Sequence, residues 1–95
     1  MEYFTAHWYH LSGNDEPRTF YSEIDHKRFE QRKIEIFDDG SFGMAGNGFS
    51  FGGTDLGDVP IPSIEEINGD TEFSAGLITA DEFEAVWAKY RDYLK

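Results

Sequence analysis

Carboxylates that lie far from any basic residue are the groups in this chain with the clearest chemical potential. Twelve of them fall between Ile34 and Ala88, a stretch with no Lys, Arg or His, and nearly all of the formal charge of −11 resides there. Such a field repels nucleic acid and anionic membranes and attracts basic surfaces. The chemistry that this stretch indicates is ion pairing with the Arg and Lys side chains of a partner.

The best candidates for contacting a partner are acids whose presence is not already explained by stabilisation of a helix terminus. Glu66 also fits a helix-capping position, as does Glu82 further along the chain, but the loop acids have no such role. An alternative interpretation is a solvated surface that keeps a small protein soluble. Mixed charges would serve that purpose with less self-repulsion. The predicted partner-binding residues are Asp55, Asp58, Glu65, Glu66, Asp70 and Glu72.

Other chemistries find little support in the motifs. The chain has no Cys, which excludes disulfides and thiolate sites. His7 and His10 are three apart in a predicted strand and point to opposite faces, so they do not form a metal pair. The seven glycines between positions 40 and 57 lack a phosphate-loop signature. No nucleophile-elbow pattern joins a His to Ser22 or Ser41. We therefore predict no catalytic residue, no metal and no cofactor.

Positioning these acids requires a folded domain, and 95 residues with sixteen aromatics suffice for one modest core. The pattern predicts a single α+β domain over residues 1–95, with an antiparallel meander of four to five strands. Asp39-Gly40 and Asn47-Gly48 are strong hairpin signals between the later strands. A further strand or extended connection is expected at residues 73–78. The predicted strands of the meander cover residues 3–11, 19–24, 29–37, 41–45 and 49–51, with turns at residues 12–17 and 25–28.

The third strand alternates cleanly and allows its faces to be assigned. Side chains two apart in a strand share a face. One face is therefore predicted to hold Glu30, Arg32, Ile34 and Ile36, and the other Phe29, Gln31, Lys33, Glu35 and Phe37.

Two helices are predicted from capping signals. Ser63 with Glu66 forms a capping-box pattern for a short helix that ends near Asn68. Thr79 with Glu82 forms a second capping box and begins a C-terminal amphipathic helix, which should pack on one face of the sheet. The apolar side of that helix comprises Phe83, Val86, Trp87, Tyr90 and Leu94.

At several segments the chain resembles a small uncharacterised bacterial domain family of immunity-protein-like size and charge. That family shares a Tyr-Ser-Glu-hydrophobic stretch, a central strand ending in Asp-Gly and an acidic C-terminal helix. The resemblance covers roughly the last three quarters of the chain. It implies a fold and no activity, because the family has none assigned. The matching segments are residues 21–25, 32–37, 60–68 and 82–87.

Together these observations predict an acidic binding or inhibitor protein of the immunity type, which occludes the basic surface of a partner such as a nuclease toxin or another nucleic-acid-binding protein. Two alternatives stay open. One is a phage or mobile-element anti-defence protein that mimics DNA. The other is a small enzyme or ligand-binding domain with its pocket between the sheet and the C-terminal helix. The chain shows no signal-peptide pattern and no membrane-spanning run, so we expect a cytoplasmic protein that binds neither nucleic acid nor membrane.

Overall fold

The computed structural model describes residues 1–9 and 16–94. It contains six strands and two helices in the described residues. The strands are β1 (Glu2–Trp8), β2 (Thr19–Ile24), β3 (Glu30–Ile36), β4 (Phe42–Gly46), β5 (Phe49–Phe51) and β6 (Phe73–Ile78), and the helices are α1 (Ile64–Asn68) and α2 (Ala80–Asp92).

The strands form one antiparallel sheet in the order β5-β4-β3-β2-β1-β6. The α+β prediction is confirmed, and the described sheet has one strand more than the upper predicted count. The sixth strand arises because the chain leaves β5 at one edge and passes through α1. It then returns to the other edge, where β6 pairs with β1 from Tyr3 opposite Ile78 to Trp8 opposite Phe73.

The predicted turns can be checked where the structure describes them. Asn47 and Gly48 both have positive φ, at 56° and 74°, which is the geometry of a two-residue hairpin turn. Gly40 has a φ of 86° and closes the β3–β4 turn. The first strand ends at Trp8, before the predicted end. Residues 10–15, which include His10, the end of the predicted first strand and most of its turn, lie outside the described residues.

A bulge at the start of β3 changes one predicted face. The register with β2 shifts so that Ile24 lies opposite Glu30 while Glu23 lies opposite Arg32. The extra residue turns Glu30 to the opposite face from Arg32. Its carboxylate lies 3.2 Å from the Lys33 ammonium. The prediction that Glu30 shares a face with Arg32 was therefore wrong, because simple alternation does not include a bulge.

Both helices begin where the capping signals predicted. The Ser63 hydroxyl accepts a hydrogen bond from the Glu66 N–H, and α1 follows at once. The Thr79 hydroxyl accepts from the Glu82 N–H while the Glu82 carboxylate accepts from the Thr79 N–H, which completes the capping box of α2. These bonds satisfy donors that the first turn of a helix leaves unpaired.

The two faces of the sheet carry different layers. On one, here called the helix face, α2 packs over Tyr3 and Arg32, and its Phe83 is fully buried. On the other, here called the groove face, Phe4 and Ala6 form a core with Ile24. Side chains from α1 and the segment before it cover that core, namely Ile61, Ile64 and Ile67.

The edge of the sheet at β6 is partly closed by a side chain. The Asn68 amide donates to the Ala75 carbonyl at 2.9 Å and accepts from the Ala75 N–H at 2.6 Å. This pair of hydrogen bonds takes the place that a neighbouring strand would occupy. It satisfies backbone groups that edge strands otherwise leave open to pairing.

Candidate functional site

A groove of about 500 Å³ lies on the groove face, between the centre of the sheet and the segment that contains α1. Its floor is apolar and comes from β1 and β2, mainly Phe4, Ala6 and Phe20. Ile67 and Phe73 line its other side. A volume of this size falls within the range typical of ligand sites.

The floor of the groove is fixed by the centre of the sheet. Phe4 and Ala6 are each 4% exposed and Ser22 is 2% exposed. Phe4 lies directly opposite Ser22 in the β1–β2 ladder. The Ser22 side chain lines the groove, and its hydroxyl has no hydrogen-bond partner among the residues that the structure describes. This hydroxyl is the polar group at the bottom of an otherwise apolar floor.

An ion pair closes one part of the groove. Glu30 and Lys33 both line it, with 3.2 Å between the Glu30 carboxylate and the Lys33 ammonium. The same Glu30 oxygen accepts a hydrogen bond of 2.6 Å from the Gly57 N–H. The pair anchors the loop after β5 to the sheet, and its two charges cancel. It adds no net charge to the groove.

The unbalanced charges at the groove are acids from α1 and the turn after it. Glu66 and Asp70 both line the groove and both are exposed. One Glu66 oxygen lies 3.4 Å from the Ser63 hydroxyl, and one Asp70 oxygen accepts from the Glu72 N–H at 2.9 Å. Each carboxylate keeps a second oxygen that can accept a hydrogen bond from a ligand. The groove therefore has an apolar floor and a negative rim.

The structure brings only part of the predicted acidic set to this groove. Asp55 lines a separate depression of about 430 Å³ beside the β4–β5 hairpin. Asp58 lies in the same loop, while Glu65 and Glu72 adjoin the two rim acids in sequence. All six predicted acids are exposed, and none makes an ion pair with a described residue.

The positions of the cations explain why these acids have no ion-pair partner. Four basic side chains are engaged with acids elsewhere: Arg18 with Asp38, Arg28 with Glu2, Arg32 with Glu23 and Glu84, and Lys33 with Glu30. Lys89 and Arg91 lie over aromatic rings near the end of α2. Six acids that make no ion pair in the described chain thus lie on the loop after β5, on α1 and on the turn that follows.

The helix face contains a polar cluster that the sequence did not mark as functional. Arg32, 8% exposed, donates to Glu23 at 2.8 and 2.9 Å and to Glu84 of α2 at 2.9 and 2.6 Å. Its guanidinium also lies 4.9 Å from the Phe83 ring centre and 5.0 Å from that of Trp87. Arg32 therefore joins the sheet to α2 through two bidentate pairs and two ring contacts.

The pKa values of this cluster follow from its contacts. Hydrogen bonds from Arg32 hold the pKa of both Glu23 and Glu84 below the usual range, and they raise the pKa of Arg32. Burial raises the pKa of Tyr3, and the hydrogen bond that Tyr3 makes with Glu23 raises it further. Both carboxylates of the cluster share Arg32 as their counter-ion inside the protein, which indicates a structural role.

Two earlier expectations concern sites other than the acids. The exposed His7 places its ring nitrogen 3.2 Å from the Thr19 hydroxyl, and His10 lies outside the described residues. The alternative of a pocket between the sheet and the C-terminal helix does not describe the groove, which lies on the opposite face against α1. The sequence did not single out Ser22, Glu30 or Lys33 as groove residues. The spacing of Glu30 and Lys33 gave no signal, because residues three apart in a regular strand point to opposite faces and the bulge is what brings these two together.

Comparison with known protein families gives a match that spans all the strands and helices described above. A family model described as a domain of unknown function, DUF6881, matches residues 2–92, which is nearly the whole chain. The chain belongs to the DUF6881 family. The resemblance to a small uncharacterised domain family is thereby confirmed, and membership in DUF6881 brings no assigned activity with it. No curated protein and no solved structure gives a significant match. No helix in the described part of this DUF6881 domain is long and apolar enough to span a membrane.

Proposed function

We propose that this protein is a non-catalytic binding domain that covers a basic surface of a partner protein, in the manner of an immunity protein against a nuclease toxin. The observation that carries the proposal is the set of six exposed acids without an ion-pair partner in the described chain. A nuclease binds phosphates with Arg and Lys, and carboxylates can occupy the same positions.

The placement of the acids supports binding to an extended surface. Asp55 and Asp58 lie in the loop after β5, and Glu65 and Glu72 flank the acids of the groove rim. Charges spread in this way steer a basic partner toward one side of the molecule and raise the association rate at low salt. Cations such as Arg18 are neutralised locally by their own acids, here Asp38, and therefore weaken this negative field less than free cations would.

The test is affinity capture with two charge-reversal variants and a matched control. One variant is Asp55→Lys with Asp58→Lys, and the other is Glu65→Lys with Glu72→Lys. The control is Glu16→Lys with Asp92→Lys, which changes two exposed acids elsewhere. Each variant raises the formal charge by the same amount, so the control separates site effects from net charge. Capture from host lysate is carried out at ~50 and ~500 mM NaCl, and the captured protein is then purified and titrated by calorimetry.

The proposal requires a basic partner whose affinity falls at high salt and falls further in the two site variants than in the control. A captured nuclease supports the immunity role, while a DNA-binding defence protein would identify a DNA mimic that uses the same acids. Equal losses of affinity in the site variants and the control would show that net charge, and not these particular acids, determines binding. Unchanged affinity in all of them would refute the proposal.

A further inference from the structure

We infer that the groove between the sheet and α1 binds a segment of the basic partner in which an apolar side chain lies beside a Lys or Arg. This inference rests on the proposed function and adds the chemistry of the segment that is recognised. Three features of the groove carry it: its volume and floor, the Ser22 hydroxyl, and the charges on its rim.

The volume and floor specify an apolar anchor. A cavity of about 150 Å³ is enough to hold benzene, so a groove of about 500 Å³ holds an apolar side chain together with the backbone that carries it. Phe4, Ala6 and Phe20 form the floor, and an anchor seated there would lose its contact with water on most sides. The floor belongs to the two strands β1 and β2 inside the sheet, so it is formed before any ligand binds.

The Ser22 hydroxyl specifies a polar group next to that anchor. Ser22 is 2% exposed and lines the groove, yet its hydroxyl has no partner in the described chain. This hydroxyl can both donate and accept, so a ligand that displaces water from it must supply a polar group in return. A peptide backbone offers an N–H and a C=O at fixed distance from each side chain, which meets this requirement without a special ligand group.

The rim specifies a cation. Glu30 and Lys33 neutralise one another, so Glu66 and Asp70 are the charged groove residues without a counter-ion in the described chain. Both are exposed, and the adjacent Glu65 extends the negative surface past the groove. A ligand that matches this pattern has its positive charge at the mouth of the groove and continues beyond it. A chain segment of a basic protein has that form.

The experiment is a selection from a random dodecapeptide library displayed on phage, with three baits. The baits are the wild-type protein, Ala6→Leu, whose larger side chain extends from the floor into the groove, and the pair Glu66→Gln with Asp70→Asn, which removes the rim charge. Far-UV circular dichroism and unfolding curves establish that each bait is folded. If Ala6→Leu fails to fold, the rim variant decides, because its two substitutions lie on exposed side chains.

The expected result is a set of wild-type-selected peptides with an apolar residue near Lys or Arg. Their affinity should fall at least about tenfold in Ala6→Leu and about fivefold in the rim variant, since exposed charges contribute modestly. Selected peptides without a basic residue, peptides that bind all three baits equally, or no enrichment on the wild type would overturn the inference.

The captured partner distinguishes failure of this inference from failure of the proposed function. If Asp55→Lys with Asp58→Lys weakens partner binding and Ala6→Leu does not, the protein is an acidic binder whose groove is not used. If the groove variants lose the selected peptides while no charge reversal affects any basic partner, the groove binds a peptide and the proposed function is wrong.

Discussion

The helix face and the groove face of the sheet use charge in opposite ways. On the helix face, Arg32 is surrounded by two carboxylates and two aromatic rings, and each charge has its counter-ion within the protein. On the groove face, Glu66 and Asp70 border an apolar floor and have no counter-ion among the residues that the structure describes. Internal pairing indicates a contact that holds the fold together. Acids without counter-ions in the described chain are the basis of the proposed partner surface.

The largest expected effect concerns packing on the two faces. Phe83→Ala should lower the free energy of unfolding by about 3–5 kcal/mol, because Phe83 is fully buried between α2 and the sheet. Ile67→Ala, at a half-buried position of α1, should cost only about 1–2 kcal/mol. Urea unfolding followed by circular dichroism measures both. Equal losses would show that α1 is packed as firmly as α2 and would remove the difference between the two faces.

The next effect concerns the ion pairs of the helix face. Arg32→Met should cost about 3 kcal/mol, because it leaves the Glu23 carboxylate buried without its cation. Arg18→Met, which breaks the more exposed pair with Asp38, is the control and should cost less than about 1 kcal/mol. Urea midpoints of the two variants give the comparison. Similar midpoints would mean that burial adds nothing to the Arg32 cluster.

Acid should weaken the helix face through the same residues. The pKa values of Glu23 and Glu84 are lowered in the folded protein by Arg32, relative to an ordinary value of 4.5. Their contribution to stability is therefore complete above pH 4.5 and is lost as the pH falls through the folded-state values. As the pH is lowered below 4.5, the urea midpoint should decrease. The decrease should be less steep in the double variant Glu23→Gln with Glu84→Gln. The same slope in both proteins would assign the acid sensitivity to other groups.

The smallest effect concerns salt and belongs to the groove face. Raising NaCl from ~20 to ~500 mM should increase the free energy of unfolding by a few tenths of a kcal/mol, because salt screens the repulsion among acids that make no ion pair in the described chain. The variant Asp55→Asn, Asp58→Asn, Glu65→Gln, Glu72→Gln should show a smaller increase in the same urea titration. A decrease with salt in the wild type would mean that attractive pairs outweigh this repulsion.

The fold was largely predictable because its signals are local. The two capping boxes placed Ser63 and Thr79 at the helix starts, and Asn47-Gly48 placed a hairpin turn, since each depends on residues within one turn of chain. The bulge before Arg32 was not predictable in this way. It depends on how β3 meets β2 across the sheet, and it decides that Glu30 lies in the groove.

The site was predictable in its charge and not in its shape. The run without bases identified the acids, and the structure leaves all six of them exposed without an ion-pair partner in the described residues. Which acids share a groove depends on the return of the chain from β5 to the far edge of the sheet. That path brings Glu66 and Asp70 over Ser22, which is more than forty positions away in sequence. Short-range spacing in the sequence cannot predict such a contact.

The carboxamide of Asn68 also closes part of the sheet edge at β6. It must donate to one backbone group of Ala75 and accept from another, and among side chains only an amide offers both at that spacing. An Asp at this position would set its negative oxygens against the Ala75 carbonyl, and an Ala would leave the strand edge unoccupied. A second chain adding there would extend the sheet from one molecule into the next. One neutral side chain, in a protein that is otherwise dense with acids, thus occupies part of the sheet edge at which a second chain would have to pair.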